Sequence, residues 1–291
     1  MKVIISIPAY NEERTIGRVI DEIKEVMNKT KYNYKILVLN DGSSDNTSKI
    51  AKKKGAIVYS NKKNLGLIET FKIEMKKCID LGGDIIIHTD ADGQYLARDI
   101  PRLIKGIENG YDIVIGSRFR IRNRNLPFLK NIGNRAFALV FSNIMKKRIT
   151  DTTSGFRAFT KEIAKINLIN DFTYTQEQLI RAYKMNYKVG EIAIKTRKTR
   201  KSRLFRHPLE YAFKAWINIF RIYRDYKPLS FFGITGLFLF SIGILIGLYF
   251  IFLHITSGIK GHLGLLFLML LLIFSGIQII LFGFLADMNK K

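Results

Sequence analysis

Asp90-Ala91-Asp92-Gly93-Gln94 places two carboxylates one residue apart with a side-chain amide two residues on. Oxygen ligands of this kind suit Mg²⁺ or Mn²⁺, with a diphosphate completing the coordination shell. A lone D-x-D arises by chance in many chains, so its company matters. Three more polar clusters accompany it: Pro8-Ala9-Tyr10-Asn11-Glu12-Glu13, Asn40-Asp41-Gly42-Ser43-Ser44-Asp45-Asn46-Thr47 and Gly116-Ser117-Arg118. Ser44 or Asp45 alone would be no more than a helix cap. Neither a Walker A motif nor a G-x-G-x-x-G after the first apolar run is present, so a nucleotide is held by other means than in P-loop enzymes or dinucleotide dehydrogenases.

The scaffold around these residues is set by periodicity. Val3–Ile7, Lys35–Leu39, Ala56–Tyr59, Asp84–Thr89 and Asp112–Ile115 read as strands, and Glu13–Met27, Ser44–Lys54, Leu67–Asp80 and Arg98–Asn109 as amphipathic helices. Such alternation predicts an α/β domain, a Rossmann-like, mostly parallel sheet with helices on both faces. Ligands in such sheets bind beyond the carboxyl ends of the strands. All four polar clusters fall there, which a chance D-x-D would not explain.

Composition adds a puzzle: 48 Lys and Arg against 24 Asp and Glu give a net charge of +24, yet 47% of residues are hydrophobic. Disorder is excluded by that apolar content. The single cysteine, Cys78, excludes a disulfide scaffold and suits a reducing compartment. Counted by segment, residues 118–157 and 195–227 carry +9 each, three quarters of the excess. The apolar excess lies in two charge-free runs, Leu229–Leu253 and Leu263–Ala286. At about 1.5 Å rise per residue either run as a helix exceeds a hydrocarbon core of roughly 30 Å. The sequence therefore predicts a catalytic domain over 1–206, a juxtamembrane amphipathic helix over 207–227, and a transmembrane hairpin over 228–291 with spans at about 229–253 and 263–286. The linker between the spans holds a single Lys, Lys260, whereas Arg221, Arg224, Lys227, Lys290 and Lys291 flank the outer ends. That asymmetry places both termini and the catalytic domain in the cytoplasm of a two-span cell-membrane protein. The apolar run before Pro8 is short and reads as a strand, not a signal peptide.

In order and spacing, P-A-Y-N-E, D-G-S-S-D and D-A-D-G-Q resemble glycosyltransferase family 2, with its GT-A fold. Asp151-Thr152-Thr153-Ser154-Gly155-Phe156-Arg157, Lys201-Ser202-Arg203-Leu204 and the hairpin narrow the resemblance to the polyprenyl-phosphate glycosyltransferases, a dolichol-phosphate mannose synthase-like group. The resemblance implies that Pro8, Tyr10, Glu12, Asp41 and Asp90 hold the nucleotide, and that Asp90, Asp92 and Gln94 hold the metal. It implies that Arg118 faces the acceptor phosphate, with Asn134, Arg135, Ser154 and Arg203 as further acceptor candidates and Lys130 beside them. Asp92 and Arg118 are then the catalytic pair. Asn40 stands where many relatives have Asp, but the base-contacting carboxylate is the second of that pair, here Asp41. Asn64-Leu65-Gly66 is similar to the family's loop lining the donor site, and Glu177 is either the family's carboxylate near the acceptor or a plain helix-surface charge. His88, on a strand, reads as a packed core histidine rather than a ligand.

The implied acceptor, a dolichyl or polyprenyl phosphate, has a second pKa near 6, so much of it is dianionic at neutral pH. It is a nucleophile without a general base. The enzyme must instead bring two anions together, which demands cations. The implied reaction moves one hexose from a sugar nucleotide, GDP-mannose favoured and UDP-glucose the alternative, by inverting in-line displacement at the anomeric carbon. A processive polysaccharide synthase lacks support, because the only tryptophan, Trp216, does not sit in a Q-x-x-R-W motif. A non-catalytic basic module tethered to the membrane and binding lipid or RNA would fit the charge, but has no need of four clusters at strand ends. The basic segments lie between the proposed donor site and the bilayer, which points to lipid phosphate and not to nucleic acid. The sequence leaves the oligomeric state open, a homo-oligomer included.

Overall fold

The computed structural model describes residues 1–120, 128–168, 174–197, 217, 220–221, 223–257 and 262–289, with only the backbone at 128–134, 136 and 137. The chain divides into two compact units, Met1–Arg206 and His207–Lys291.

The first unit is built on a seven-stranded sheet. Its strands are β1 (Lys2–Ala9), β2 (Asn33–Asn40), β3 (Ile57–Ser60), β4 (Ile85–His88), β5 (Ile113–Ser117), β6 (Arg157–Thr160) and β7 (Val189–Ala193), in the order β3-β2-β1-β4-β6-β5-β7. All neighbours are parallel except β6, which runs antiparallel between β4 and β5. The five strands read from the sequence are β1 to β5. The two added strands leave the sheet mostly parallel, in keeping with the GT-A expectation.

Side chains alternate across the sheet, as the two-residue period of a strand requires. Val3, Ile5, Ile7, Ile36, Val38, Ile85 and Ile87 face α1 (Ile16–Met27) and α4 (Ile100–Glu108) in one core. In α1, Ile16, Val19, Ile20, Ile23 and Met27 recur at helical spacing, so one stripe is apolar and buried. Each such side chain contributes roughly 1.5–3 kcal/mol when buried. The other sheet face takes α3 (Leu67–Asp80), through Phe71, Met75 and Cys78. The remaining helices of this unit are α2 (Thr47–Lys53), α5 (Phe128–Met145), the single turn α6 (Lys161–Ala164) and α7 (Tyr174–Lys184).

Register aligns the strand ends. Ala9 lies opposite Asn40, Ser6 opposite His88, His88 opposite Arg157, and Ile115 opposite Arg157. The segments after β1, β2, β4 and β5, and the segment before the reversed β6, therefore emerge at one edge of the sheet.

The second unit contains α8 (Pro228–Ser257) and α9 (Leu263–Met288). Both are long and apolar enough to cross a membrane, and little of either is buried inside the protein. Leu237, Phe238, Leu245, Phe267 and Phe274 stand exposed. The two helices touch through glycine: a Cβ on Gly236 would lie 2.6 Å from the Gly276 carbonyl oxygen, and one on Gly276 would lie 2.8 Å from that of Gly236. Small residues permit such close backbone approach, which is how helices associate where no hydrophobic effect drives them together. Most of the amphipathic stretch 207–227 falls outside the described residues; Phe220–Arg221 and Tyr223–Tyr226 are helical.

Candidate active site

The first two polar clusters are joined into one frame. The Asn11 N–H donates to Ser43 Oγ at 2.9 Å, the Ser44 N–H to Asn11 Oδ1 at 2.9 Å, and the Glu12 N–H to Thr47 Oγ1 at 2.8 Å. Asp45 accepts from the Thr47 N–H at 2.9 Å, but the N-cap of α2 is Asn46, not Asp45 or Ser44. Glu12 is buried and accepts from Thr15 Oγ1, Pro8 ends up half-buried in β1, and Tyr10 is exposed.

Asp41 is turned inward. Its Oδ1 accepts from Asn61 Nδ2 and the Leu65 N–H, both at 2.9 Å, and its Oδ2 accepts from the Gly66 N–H at 3.1 Å. The carboxylate expected to read base or ribose thus also fixes the Asn64-Leu65-Gly66 loop. Gly42 permits this fold of the chain: its φ is +68°, and a Cβ there would meet the Lys63 carbonyl carbon at 2.5 Å.

Asp90 and Asp92 sit just beyond β4, both half-buried. The Gln94 N–H donates to Asp92 Oδ1 at 2.9 Å and closes the turn. Among the described residues, no donor is hydrogen-bonded to Asp90. Burial first, and the Asp92 charge second, push the Asp90 carboxyl up to about 6, against the opposing pull of His88 and Arg118. Two carboxylates crowded until one resists ionisation are relieved by a divalent cation, so the pair fits Mg²⁺ or Mn²⁺. Among the described residues no cluster of three or more His, Cys, Asp and Glu forms there. The protein thus offers two carboxylates and the Gln94 amide, leaving positions for a substrate diphosphate.

Across from this pair, Arg118 leaves the end of β5 and is gripped by Asp151. Its Nε donates to Oδ2 at 2.7 Å, its Nη2 to Oδ1 at 2.9 Å, and its backbone N–H to Oδ2 at 3.1 Å. Nη2 also donates to Thr153 Oγ1 at 2.7 Å. Among the described residues Nη1 has no acceptor. Asp151 is fully buried and Arg118 nearly so, and the carboxylate holds the guanidinium pKa above its ordinary value despite burial. Asp151 is held in turn by Glu191 of β7, whose Oε1 accepts from the Asp151 N–H at 3.1 Å and the Thr150 N–H at 2.9 Å.

Residues 154–157 close the floor. Gly155 passes so near the metal carboxylates that a Cβ there would stand 3.2 Å from Asp90 Oδ1. Ser154 is buried, and its carbonyl accepts from Arg157 Nε at 3.0 Å and Nη2 at 2.6 Å. Arg157 is entirely buried and also donates to the Thr175 carbonyl at 2.9 Å and Gln178 Oε1 at 3.2 Å. With neutral acceptors alone, burial lowers its pKa. It ties the start of β6 to α7.

His88 is in the core, as its strand position implied, but it is not an inert packing residue. Nδ1 lies 3.0 Å from Glu74 Oε1 and Nε2 lies 3.1 Å from Tyr174 Oη, with all three side chains buried. This chain of polar groups lies behind Asp90, whose carboxyl the Glu74 charge helps to raise. Glu177 is buried and accepts from Arg181 Nε at 2.7 Å, so it is not a helix-surface charge. Arg135 is exposed on α5; the side chains of Lys130 and Asn134, and the whole of Arg203 with its K-S-R-L segment, lie outside the described residues. Motif and spacing assigned no role to Glu74, Tyr174 or Glu191, and none specifically to Asp151. For Asp151 the D-T-T-S-G-F-R motif was the available signal, and for Glu74 it was a charge on the apolar stripe of α3.

A seven-stranded, mostly parallel sheet with an acidic pair and a clamped arginine at its carboxyl edge defines a GT-A-like glycosyltransferase. The chain matches the profile of Glycosyl transferase family 2 over residues 4–167 and belongs to that family. It is 31% identical over 219 residues to the UDP-N-acetylglucosamine--dolichyl-phosphate N-acetylglucosaminyltransferase of Methanococcus voltae, covering 67% of this chain and 85% of that protein. It is 31% identical over 193 residues to the dolichyl-phosphate hexose transferase of Haloferax volcanii, covering 64% of this chain and 78% of that one. In fold it is similar to glucosyl-3-phosphoglycerate synthase of Mycobacterium tuberculosis, solved with Mn²⁺, UDP and glucosyl-3-phosphoglycerate, at a TM-score of 0.60 and 20% identity, covering 76% of this chain and 78% of that chain.

Proposed function

We propose that this glycosyltransferase moves a single hexose from a sugar nucleotide to dolichyl or polyprenyl phosphate, releasing a nucleoside diphosphate and forming a lipid-phosphate sugar. The observation that carries the reading is Arg118: a guanidinium clamped by a buried carboxylate at a strand end, beside an acidic pair, with Nη1 lacking an acceptor among the described residues. A phosphate nucleophile needs a fixed cation more than a base, because it attacks as an anion. Arg118 supplies that cation, and the Asp151 grip fixes its direction. Ser154, Arg135, Asn134 and Arg203 are the further acceptor-side residues in this reading. Pro8, Tyr10, Glu12 and Asp41 frame the nucleoside, with Asp41 acting in part through the loop it holds. Asp90, Asp92 and Gln94 would hold Mg²⁺ or Mn²⁺, which when bound neutralises the leaving diphosphate.

For the donor we put GDP-mannose first, on the D-A-D-G-Q segment and the stretches after it. UDP-glucose and UDP-N-acetylglucosamine are the competitors, the latter because of the name of the Methanococcus relative. The hairpin in this reading spans the membrane with both termini and the catalytic domain on the cytoplasmic side.

Purified full-length protein is assayed with polyprenyl phosphate, Mg²⁺ or Mn²⁺ and a panel of labelled sugar nucleotides. A lipid-linked sugar from one donor is expected, and none from any donor sinks the reading. A membrane-impermeant label at a reporter on Lys291 is expected not to react from outside the cell; labelling there overturns the orientation.

A further inference from the structure

Apart from the strand-end site, the same unit carries a cavity of about 760 Å³ along its outermost strand β7. None of Asp90, Asp92, Gln94 and Arg118 lines it. Five cations do, Arg102, Lys105, Arg120, Lys147 and Arg148, against one carboxylate, Glu191. A volume of this order is that of a small-ligand site.

Three of the cations have a structural task. The carbonyls of Val189, Glu191 and Ala193 point away from β5 and would otherwise form an open sheet edge. They accept, in turn, from Lys147 Nζ, from Arg120 Nη1 at 2.6 Å and from Arg102 Nη1 at 3.1 Å. Basic side chains are a recognised way to blunt an edge strand. Edge capping does not account for Lys105 and Arg148, which are exposed and, among the described residues, have neither a hydrogen-bond acceptor nor an ion-pair partner. Glu191 makes no ion pair with them, its carboxylate being engaged by the Thr150 and Asp151 N–H groups and by Thr150 Oγ1 at 3.0 Å, and its single charge leaves the five cations in excess. Tyr111 adds a ring to the wall, 5.7 Å from Lys147 Nζ. A concave surface with this excess of one sign concentrates counter-charge.

We infer that this cavity binds a phosphate-bearing anion at a site separate from the one that performs transfer, with Lys105 and Arg148 as its unclaimed ligands and Arg120 and Lys147 as the fixed floor. The phosphate can belong to an anionic phospholipid headgroup or to a soluble phosphate compound. Such binding does not depend on which sugar is moved, or on whether one is.

The test reads Lys105 directly. Full-length protein in neutral detergent is acetylated with an amine-reactive reagent, and peptide mass spectrometry follows Lys105 against the exposed Lys31. One arm adds phosphatidylglycerol to the micelles, and the other adds inorganic pyrophosphate. Lys105 labelling is expected to slow by about fivefold in at least one arm, and Arg148→Glu is expected to abolish that protection. Arg148→Gln, a milder change at the same exposed position, is expected to weaken it. Protection by the lipid alone assigns a headgroup, and protection by pyrophosphate alone assigns a soluble ligand. Absence of protection in both arms overturns the inference. So does protection that survives Arg148→Glu, because a general ion atmosphere would then explain it.

Discussion

Replacing Asp151 with Asn keeps the size of the side chain and removes its charge. The aspartate accepts three hydrogen bonds from Arg118, two of them from the guanidinium at 2.7 and 2.9 Å. An asparagine has one acceptor oxygen, so its amide must point an N–H group at either Nη2 or Nε. One charge-assisted bond, worth about 1.5–3 kcal/mol, is lost outright. The guanidinium, with a side chain only 11% exposed, loses its counter-charge as well. Breaking one partner of a buried pair costs about 3–5 kcal/mol, and we expect the lower end because Thr153 and one oxygen remain. For a unit of this size that is a fall of about 2–4 °C in Tm per kcal/mol, or roughly 6–12 °C. Thermal unfolding by circular dichroism of the full chain in detergent measures it. Steady-state kinetics should show kcat/KM for polyprenyl phosphate falling by about a hundredfold, the loss of one aligned cation, with the donor KM little changed. Adding Arg118→Gln to Asp151→Asn removes the orphaned charge and should recover most of the lost stability without recovering turnover. A single variant that melts within about 2 °C of the parent, or a double variant less stable than the single, would refute the view that this pair is a buried, mutually dependent unit.

Asp92→Ala should abolish turnover and the response to added Mn²⁺; retention of full activity would remove the metal assignment. In metal-free protein the Asp90 carboxyl has a pKa raised from 3.8 to about 6. The folded state therefore holds this proton more tightly than the unfolded chain. Asp90's contribution to stability is full below about pH 4 and is lost as pH rises through about 6, with a slope of up to about 1.4 kcal/mol per pH unit. Asp90→Asn should remove that component from urea midpoints measured between about pH 4 and 7, and unchanged curves would count against it. Gly276→Leu should separate α8 from α9, since its Cβ would lie 2.8 Å from the Gly236 carbonyl oxygen and the Phe240 nitrogen alike. The loss would be read as weaker disulfide cross-linking in a Gly247→Cys/Met269→Cys pair, and undiminished cross-linking would contradict the packing.

What the sequence made legible was local. The stripe of α1, the apolar runs of β1 and β2 and the acidic pair after β4 are each decided by residues within one turn or one strand of each other. The two charge-free runs were equally plain. β6 was not visible: Arg157-Ala158-Phe159-Thr160 is four residues long, and its place between β4 and β5 is a long-range pairing. Nor were the buried pairs. Arg118 and Asp151 are 33 residues apart, and Glu74 and His88 are 14 apart on a helix and a strand. A charge on an apolar stripe announces that a partner exists without saying which. Glu177 shows the converse, since helical spacing alone could not separate a buried ion pair from a solvated charge.

The carboxylates of this domain sort by who satisfies them. Asp41 takes two donors from the loop it holds and one from Asn61, Asp151 is matched to a guanidinium, and Glu191 takes three donors from Thr150 and Asp151. Their oxygens are engaged by the protein, which makes them parts of the scaffold: each fixes a loop, a cation or another carboxylate. Asp92 has one backbone donor, and among the described residues Asp90 has none. Burial first and the Asp92 charge second push Asp90 up to about 6, although His88 and Arg118 pull the other way. Asp41, Asp151 and Glu191 are engaged within the protein, whereas the two carboxylates beyond β4 are left short, their charge kept for something that is not protein. On the opposite wall Arg118 has the complementary shortage, one nitrogen without an acceptor among the described residues. A site that wants a cation on one side and an anion on the other is matched by a metal-bound diphosphate facing a phosphate nucleophile, which is why the pairing of the two shortages, more than either motif alone, carries the functional reading.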